Sequence, residues 1–138
     1  MNLCAIGTGA ITKSMLQEFA KSDVLNCVAI YSRREETGRK LADEFGIKTV
    51  YTSMEDMLSA PEIDMVYVAS PNALHYGQTK AALLAGKHVL CEKPFAPTLA
   101  EAEELVALAK EKGLYLFEAI TTAHHPHYSF VREKLPEL

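Results

Sequence analysis

Leu3-Cys4-Ala5-Ile6-Gly7-Thr8-Gly9-Ala10-Ile11 is a short apolar run that ends on two closely spaced glycines and gives way to a helical pattern. The run reads as a buried strand. Ile11, Met15, Leu16 and Phe19 then recur at the spacing of one helical face. A strand that turns through Gly-x-Gly into a helix has a specific physical use. The first glycine permits a tight turn, and the second lets the backbone approach a pyrophosphate. The helix start offers that group unpaired N–H donors and a partial positive charge. Gly7, Thr8, Gly9, Ala10 and Ile11 are therefore candidate dinucleotide contacts. Thr12 fills the third small position of G-x-G-x-x-G, so the fingerprint is incomplete and looser helix–strand packing is expected there. The competing reading is a plain turn that needs glycine only for its backbone angles.

Outward from this stretch, short β-rich runs alternate with amphipathic segments, the pattern of βαβ units and a parallel sheet. The runs cover residues 3–6, 27–31, 49–51, 65–69, 88–91 and 115–117. Leu99, Ala102, Leu105, Val106 and Ala109 mark the inner face of the last long helix, and Thr98 with Glu101 forms a capping box at its start. Gly46, Gly86 and Gly113 each sit between a helical segment and a strand, as left-handed caps do. The expected fold is α/β, a Rossmann-type doubly wound sheet of six mainly parallel strands in the order 3-2-1-4-5-6 with helices on both faces. The domain is expected to span 1–120. Residues 121–138 read as the start of a connection, with a helical stretch from about His127 to Leu135 and a break-off just past it.

The bulk numbers agree with one globular domain. The chain has 138 residues, 49% hydrophobic and 23% charged, with a net charge of −4. An acidic balance without a Lys/Arg cluster argues against nucleic acid, and no apolar run approaches the roughly 20 residues of a membrane span. Cys4, Cys27 and Cys91 are odd in number and lie in apolar strands, so they read as buried hydrophobes of a reducing compartment. A cytoplasmic location is the expectation.

The end of the second strand bears on cofactor choice. An acid there would hold the ribose 2′-hydroxyl of NAD, whereas arginine accommodates the 2′-phosphate of NADP. This chain has Tyr31-Ser32-Arg33-Arg34, with Glu35 and Glu36 in the first turn of a helix. Ser32, Arg33 and Arg34 are thus candidate contacts, and NADP is favoured over NAD. The alternative is two solvated loop charges.

Ser70-Pro71-Asn72, then His75, follow the fourth strand beside the crevice where strand order reverses. Asn72 reads equally as a helix cap, and His75 as a first-turn residue with a satisfied ring. Glu92-Lys93-Pro94 caps the fifth strand, where a lysine has no packing use.

Gly7-Thr8-Gly9-Ala10-Ile11, Pro71-Asn72-x-x-His75 and Glu92-Lys93-Pro94, in this order, resemble the nucleotide-binding domain of the glucose-fructose oxidoreductase, inositol dehydrogenase and rhizopine-catabolism (Gfo/Idh/MocA) family. The resemblance covers essentially the whole chain, and Phe117-Glu118-Ala119 matches it too. It implies an NAD(P)-dependent oxidoreductase that passes a hydride between nicotinamide and a hydroxyl or carbonyl carbon of a sugar, polyol or related small molecule. It implies that Lys93 donates to the reacting oxygen, that Glu92 and Asn72 seat the nicotinamide ribose, and that the Lys93–Pro94 peptide is cis. It further implies a separate C-terminal substrate domain and a homo-oligomer for the full-length protein. These residues alone would then bind cofactor with little turnover. Two positions depart from the family: Thr12, and Ala123, where an arginine is expected ahead of His125-Pro126. No metal is expected, because His124, His125 and His127 lack a completing carboxylate or cysteine. The rival functional class is a non-catalytic dinucleotide sensor on the same fold. A flavodoxin-like phosphate binder is disfavoured by the strand count and by Glu92-Lys93-Pro94.

Overall fold

Alternate residues of a strand face opposite sides of its sheet, and in strand β1 (Asn2–Ile6) the two sets enter two different cores. Leu3 and Ala5 pack with Leu16, Phe19, Ile30, Leu41 and Tyr67 on one side. Cys4 and Ile6 pack with Met57, Val66, Leu83, Val89 and Leu105 on the other. Both faces of β1 are buried, which is the condition for a central parallel strand. Full burial of each leucine or isoleucine stabilises by about 1.5–3 kcal/mol.

The computed structural model describes residues 1–124 and 126–135. Five more strands join β1: β2 (Asn26–Tyr31), β3 (Thr49–Tyr51), β4 (Met65–Val68), β5 (His88–Cys91) and β6 (Leu116–Glu118). Their order is β3-β2-β1-β4-β5-β6, and every pairing is parallel. The helices are α1 (Ala10–Phe19), α2 (Glu35–Glu44), α3 (Met54–Ser59), α4 (His75–Leu84), α5 (Leu99–Lys112) and α6 (Pro126–Lys134). Helices α1 and α2 cover one face of the sheet; α4 and α5 cover the other. This is the doubly wound arrangement expected from the sequence. Order reverses between β1 and β4, so the crevice at their carboxyl ends is the switch point. Among the described residues no helix is long and apolar enough to cross a membrane.

The boundary signals hold. Thr98 Oγ1 accepts from the Glu101 N–H at 3.3 Å and meets the Glu101 carboxylate at 2.6 Å. Gly113 closes α5 at φ +65°. The inner faces need two corrections. Ile11, read as a core residue, is 52% exposed, whereas Thr12 beside it is fully buried. With Gly9 as N-cap, α1 turns Thr12, Leu16 and Phe19 inward and presents Ile11 to the cleft. In α5, Leu105 and Ala109 are buried, but Leu99 is 74% and Val106 39% exposed, so only part of the expected face turns inward. Strand β6 starts at Leu116 because Tyr115 gives its N–H to the His88 ring at 3.0 Å. Thr12 is accommodated without exposure, although its hydroxyl has no hydrogen-bond partner among the described residues. Cys4 and Cys91 are buried and Cys27 is half-buried; all three are free thiols. Burial pushes the Cys27 and Cys91 thiols up to about 11. His125 and residues 136–138 lie outside the described residues, as do the side chains of Ala123 and His124.

Candidate dinucleotide site

A cleft of about 470 Å³ opens at the carboxyl ends of β1, β2 and β4, a size suited to a bound small molecule. Its floor is the turn between β1 and α1. Gly7 donates its N–H to the Tyr31 carbonyl at 3.2 Å and has φ +110°. A Cβ on Gly7 would stand 2.5 Å from the Ala69 carbonyl oxygen. The turn therefore lies against the end of β4, and only glycine fits both the angle and the gap. Gly9 differs: its φ is −82°, and nothing lies within 4 Å of the place a Cβ would take. Folding does not demand glycine here. The open space faces the start of α1, where the first-turn N–H groups are not used within the helix.

The second wall follows β2. Ser32 is buried, and its Oγ lies 2.8 Å from Thr37 Oγ1 on α2. Thr37 in turn donates to the Arg34 carbonyl at 2.9 Å. Gly38 lets α2 approach this corner; a Cβ there would stand 2.7 Å from Val50 Cγ1 and 3.0 Å from Ser32 Cβ. The backbone of Arg33 and Arg34 is thus fixed by short local bonds. Both side chains are exposed and line the cleft, and among the described residues neither has an ion-pair partner. Among the described residues no carboxylate lines the cleft.

The third wall is the turn after β4. Ser70 and Pro71 line the cleft together with Leu74 and Gln78. Ser70 Oγ donates to the Gln78 side-chain oxygen at 2.6 Å. Asn72 opens a single 3-10 turn, Asn72–Leu74, ahead of α4. The amide of Asn72 caps nothing, since neither the 3-10 turn nor α4 has a side-chain cap bond. It stays exposed. His75 is 1% exposed, and both its ring nitrogens meet backbone carbonyls: Nε2 with Ser70 at 2.7 Å and Nδ1 with Pro94 at 2.8 Å. It does not line the cleft but links a lining residue to the next loop.

That loop carries Glu92, Lys93 and Pro94, which stand beyond the cleft's own lining. The Lys93–Pro94 peptide is cis. Tyr67, buried in β4, donates its hydroxyl to Glu92 at 2.8 Å. Burial first, and Glu92 second, raise this phenol well above its usual range, so it remains a donor. Glu118 at the end of β6 accepts from the Phe95 N–H at 3.1 Å. The loop is therefore held by Tyr67, His75 and Glu118. Lys93 is exposed and has no ion-pair partner among the described residues.

Of the predicted residues, the structure brings the stretch Gly7–Ile11, the Ser32–Arg34 corner, Ser70 and Pro71 around one cleft. Asn72 opens the adjoining 3-10 turn, His75 begins α4, and Glu92 and Lys93 follow in the loop after β5. Sequence reasoning missed Thr37, Gly38 and Gln78, which shape the walls, and Tyr67, which grips Glu92. A glycine inside a helical pattern was the one available signal, at Gly38.

Residues 1–120 match a family model, Gfo/Idh/MocA, described as an oxidoreductase family with an NAD-binding Rossmann fold. Over its full length the chain is 38% identical to an uncharacterized oxidoreductase, YgjR, of Escherichia coli, covering 42% of that protein. It is 36% identical to scyllo-inositol 2-dehydrogenase (NADP(+)) IolU of Bacillus subtilis, over 96% of this chain and 40% of that one. Its fold superposes with a TM-score of 0.93 on a 3-ketoreductase from Actinomadura kijaniata solved with NADP and TDP-benzene. The sequence identity is 33%, over 99% of this chain and 42% of that one. The chain spans about two-fifths of the length of the curated relatives it matches.

Proposed function

Because the chain belongs to the Gfo/Idh/MocA oxidoreductase family, with its NAD-binding Rossmann fold, we propose that it holds the cofactor in a sugar or polyol oxidoreductase and prefers NADP. The observation that carries this reading is the cleft itself. Its floor has an open glycine position at a helix start, and among the described residues its β2 wall has two arginines without an ion-pair partner and no carboxylate. A pyrophosphate suits the space above Gly9 and the N–H groups of α1. Arg33 and Arg34 suit a 2′-phosphate, since guanidinium groups bind phosphate in a bidentate way. The NADP complex of the ketoreductase and the NADP specificity in the name of the inositol dehydrogenase support the same choice. When bound, the nicotinamide would supply or take up a hydride. Asn72 and Glu92 would seat its ribose, with Tyr67 fixing Glu92.

Lys93 is the group assigned to the reacting oxygen. An exposed ammonium with no ion-pair partner among the described residues can donate to an oxygen that gains negative charge as its carbon receives a hydride. It can then pass on a proton. The substrate class is a hydroxyl or carbonyl carbon of a sugar, polyol or related compound. The relatives extend well beyond the length of this chain, and turnover is assigned to a protein that includes a substrate-binding part. These residues alone bind cofactor without turnover.

Titration with NADPH and NADH, followed by nicotinamide fluorescence, tests the cofactor assignment. NADPH is expected to bind at least about tenfold more tightly, a difference of about 1.4 kcal/mol. Equal affinity, or tighter NADH, contradicts it. For a sensor, a charged group at the hydride face has no use. Lys93→Met in the whole enzyme is therefore expected to abolish turnover and spare cofactor binding; turnover that survives rejects the catalytic role.

A further inference from the structure

The cleft does not end at Gly9. A second hollow, of about 320 Å³, runs on between α1 and α2. Thr8, Gly9, Ala10 and Thr37 line both spaces, so the two meet across the first turn of α1. Beyond that junction the hollow takes Lys13 from α1, and Lys40 and Glu44 from α2. Gly38, Leu41 and Ala42 anchor α2 through its buried face. That anchoring fixes the face with Thr37, Lys40 and Glu44, spaced at three and four residues, toward the start of α1.

The charges of the hollow are not equally committed. Lys13 forms an ion pair with Glu44. Lys40 is exposed and has no ion-pair partner among the described residues, although Glu36 and Glu44 lie one turn before and after it on the same helix. An isolated helix lysine is ordinarily a solvated charge. Lys40 differs in where it stands, across the junction from Arg33 and Arg34, which line the cleft on the other side of Thr37.

This arrangement suits a particular kind of anion. A phosphate monoester carries a charge of about −1.5 to −2 and three strong acceptor oxygens, so it can take donors from several directions at once. Seated on the Thr8 and Thr37 side of the junction, it would meet guanidinium groups on one flank and an ammonium on the other. The pyrophosphate keeps its place over Gly9. We propose that Lys40 is a specificity-determining residue: the adenosine 2′-phosphate lies where the two hollows meet, between the Arg33-Arg34 corner and Lys40. The groove between α1 and α2 then shares with that corner the distinction between NADPH and NADH. The role of Lys40 rests on the reading of the cleft as an NADP site. Lys13 contributes little while Glu44 holds it, and Glu44 limits the positive charge of the groove.

Fluorescence titration of the chain with NADPH and NADH tests the assignment, together with competition by 2′,5′-ADP and 5′-AMP, which differ in the 2′-phosphate alone. Lys40→Met keeps a long, helix-favouring side chain and removes its charge. It is expected to weaken NADPH and 2′,5′-ADP by about tenfold, the loss of one charge-assisted hydrogen bond, and to leave NADH and 5′-AMP unchanged. Lys40→Arg is expected to restore the affinity for NADPH. Glu44→Gln, which releases Lys13, is expected to tighten NADPH and not NADH. A Lys40→Met variant that binds NADPH as wild type does, or loses NADPH and NADH alike, overturns the role of Lys40. If wild type prefers NADPH and the variant keeps that preference in full, the cofactor reading stands and Lys40 falls alone. A wild-type chain with no preference for NADPH refutes the cofactor reading itself, and the role of Lys40 with it.

Discussion

The two sides of the cleft are built by different means. On the β1–β2 side, the backbone makes the site: Gly7 is pressed against Ala69, and Ser32 and Thr37 pin the Arg34 carbonyl within one turn of chain. On the β4–β5 side, side chains from distant elements hold a loop in place. Tyr67 reaches Glu92, Glu118 reaches Phe95, and His75 spans from Ser70 to Pro94. A phosphate is recognised by a fixed array of N–H groups, for which a short local motif is enough. A proton donor must be aimed, and aiming a loop takes contacts from several elements.

The sharpest break of this contrast is Gly7→Ala. The added Cβ meets a carbonyl oxygen at 2.5 Å in a φ region that alanine avoids, so a loss of more than about 3 kcal/mol is expected. Chemical denaturation checks it; a variant within about 0.5 kcal/mol of wild type would show that the turn can shift. Gly9→Ala probes the same turn with the opposite expectation. Stability should change little, because the space is open and φ is ordinary. Dinucleotide affinity should fall by at least about tenfold, near 1.4 kcal/mol, because the methyl group occupies the pyrophosphate's place.

That pair of outcomes explains what was legible in the sequence. The Gly-x-Gly turn, the strand order and the Arg33-Arg34 corner are local, and their motifs carry their own geometry. Ile11 and Thr12 were exchanged in the expected core because periodicity gives the helical face only to within a residue; the N-cap at Gly9 sets the rest. Tyr67 carried no signal, and Glu118 none beyond its place in the family pattern. Each acts through one bond to a residue far along the chain, and spacing in sequence does not report such contacts. Lys87 was likewise silent: it is buried and donates to the Ala60 and Ile63 carbonyls, each at 2.8 Å.

Smaller changes sharpen the contrast. Tyr67→Phe removes the one bond to Glu92 and keeps the packing against Phe19. A loss of about 1 kcal/mol is expected, with weaker cofactor binding but unchanged discrimination between NADPH and NADH, since Arg33 and Arg34 lie on the other side. Thr12→Val removes a buried hydroxyl that has no partner among the described residues, so thermal unfolding should show a gain of about 1 kcal/mol; a loss would reveal a bond to that hydroxyl.

The smallest effect lies away from the site, at Lys80 and Glu104. Lys80, then Tyr76, hold the Glu104 carboxyl below its usual range, and Glu104 in turn raises Lys80. The pair therefore stabilises the fold above about pH 4.3 and below about pH 10.4, the ordinary values for the two groups. Its contribution is lost as the pH falls through the lowered carboxyl, or rises through the raised ammonium. Denaturant midpoints of wild type and Glu104→Gln should differ slightly at neutral pH, converge in acid, and converge in high salt, as for any exposed pair.

The central claim is that the cleft at the switch point holds a dinucleotide, with its phosphates on the β1–β2 side. Backbone amide shifts followed during an NADPH titration of the chain test it most directly. The account predicts the largest changes at Gly7–Ile11 and at Ser32–Thr37, with smaller ones at Asn72 and Lys93. Saturable shifts confined to other surfaces, or none at millimolar NADPH, would contradict it.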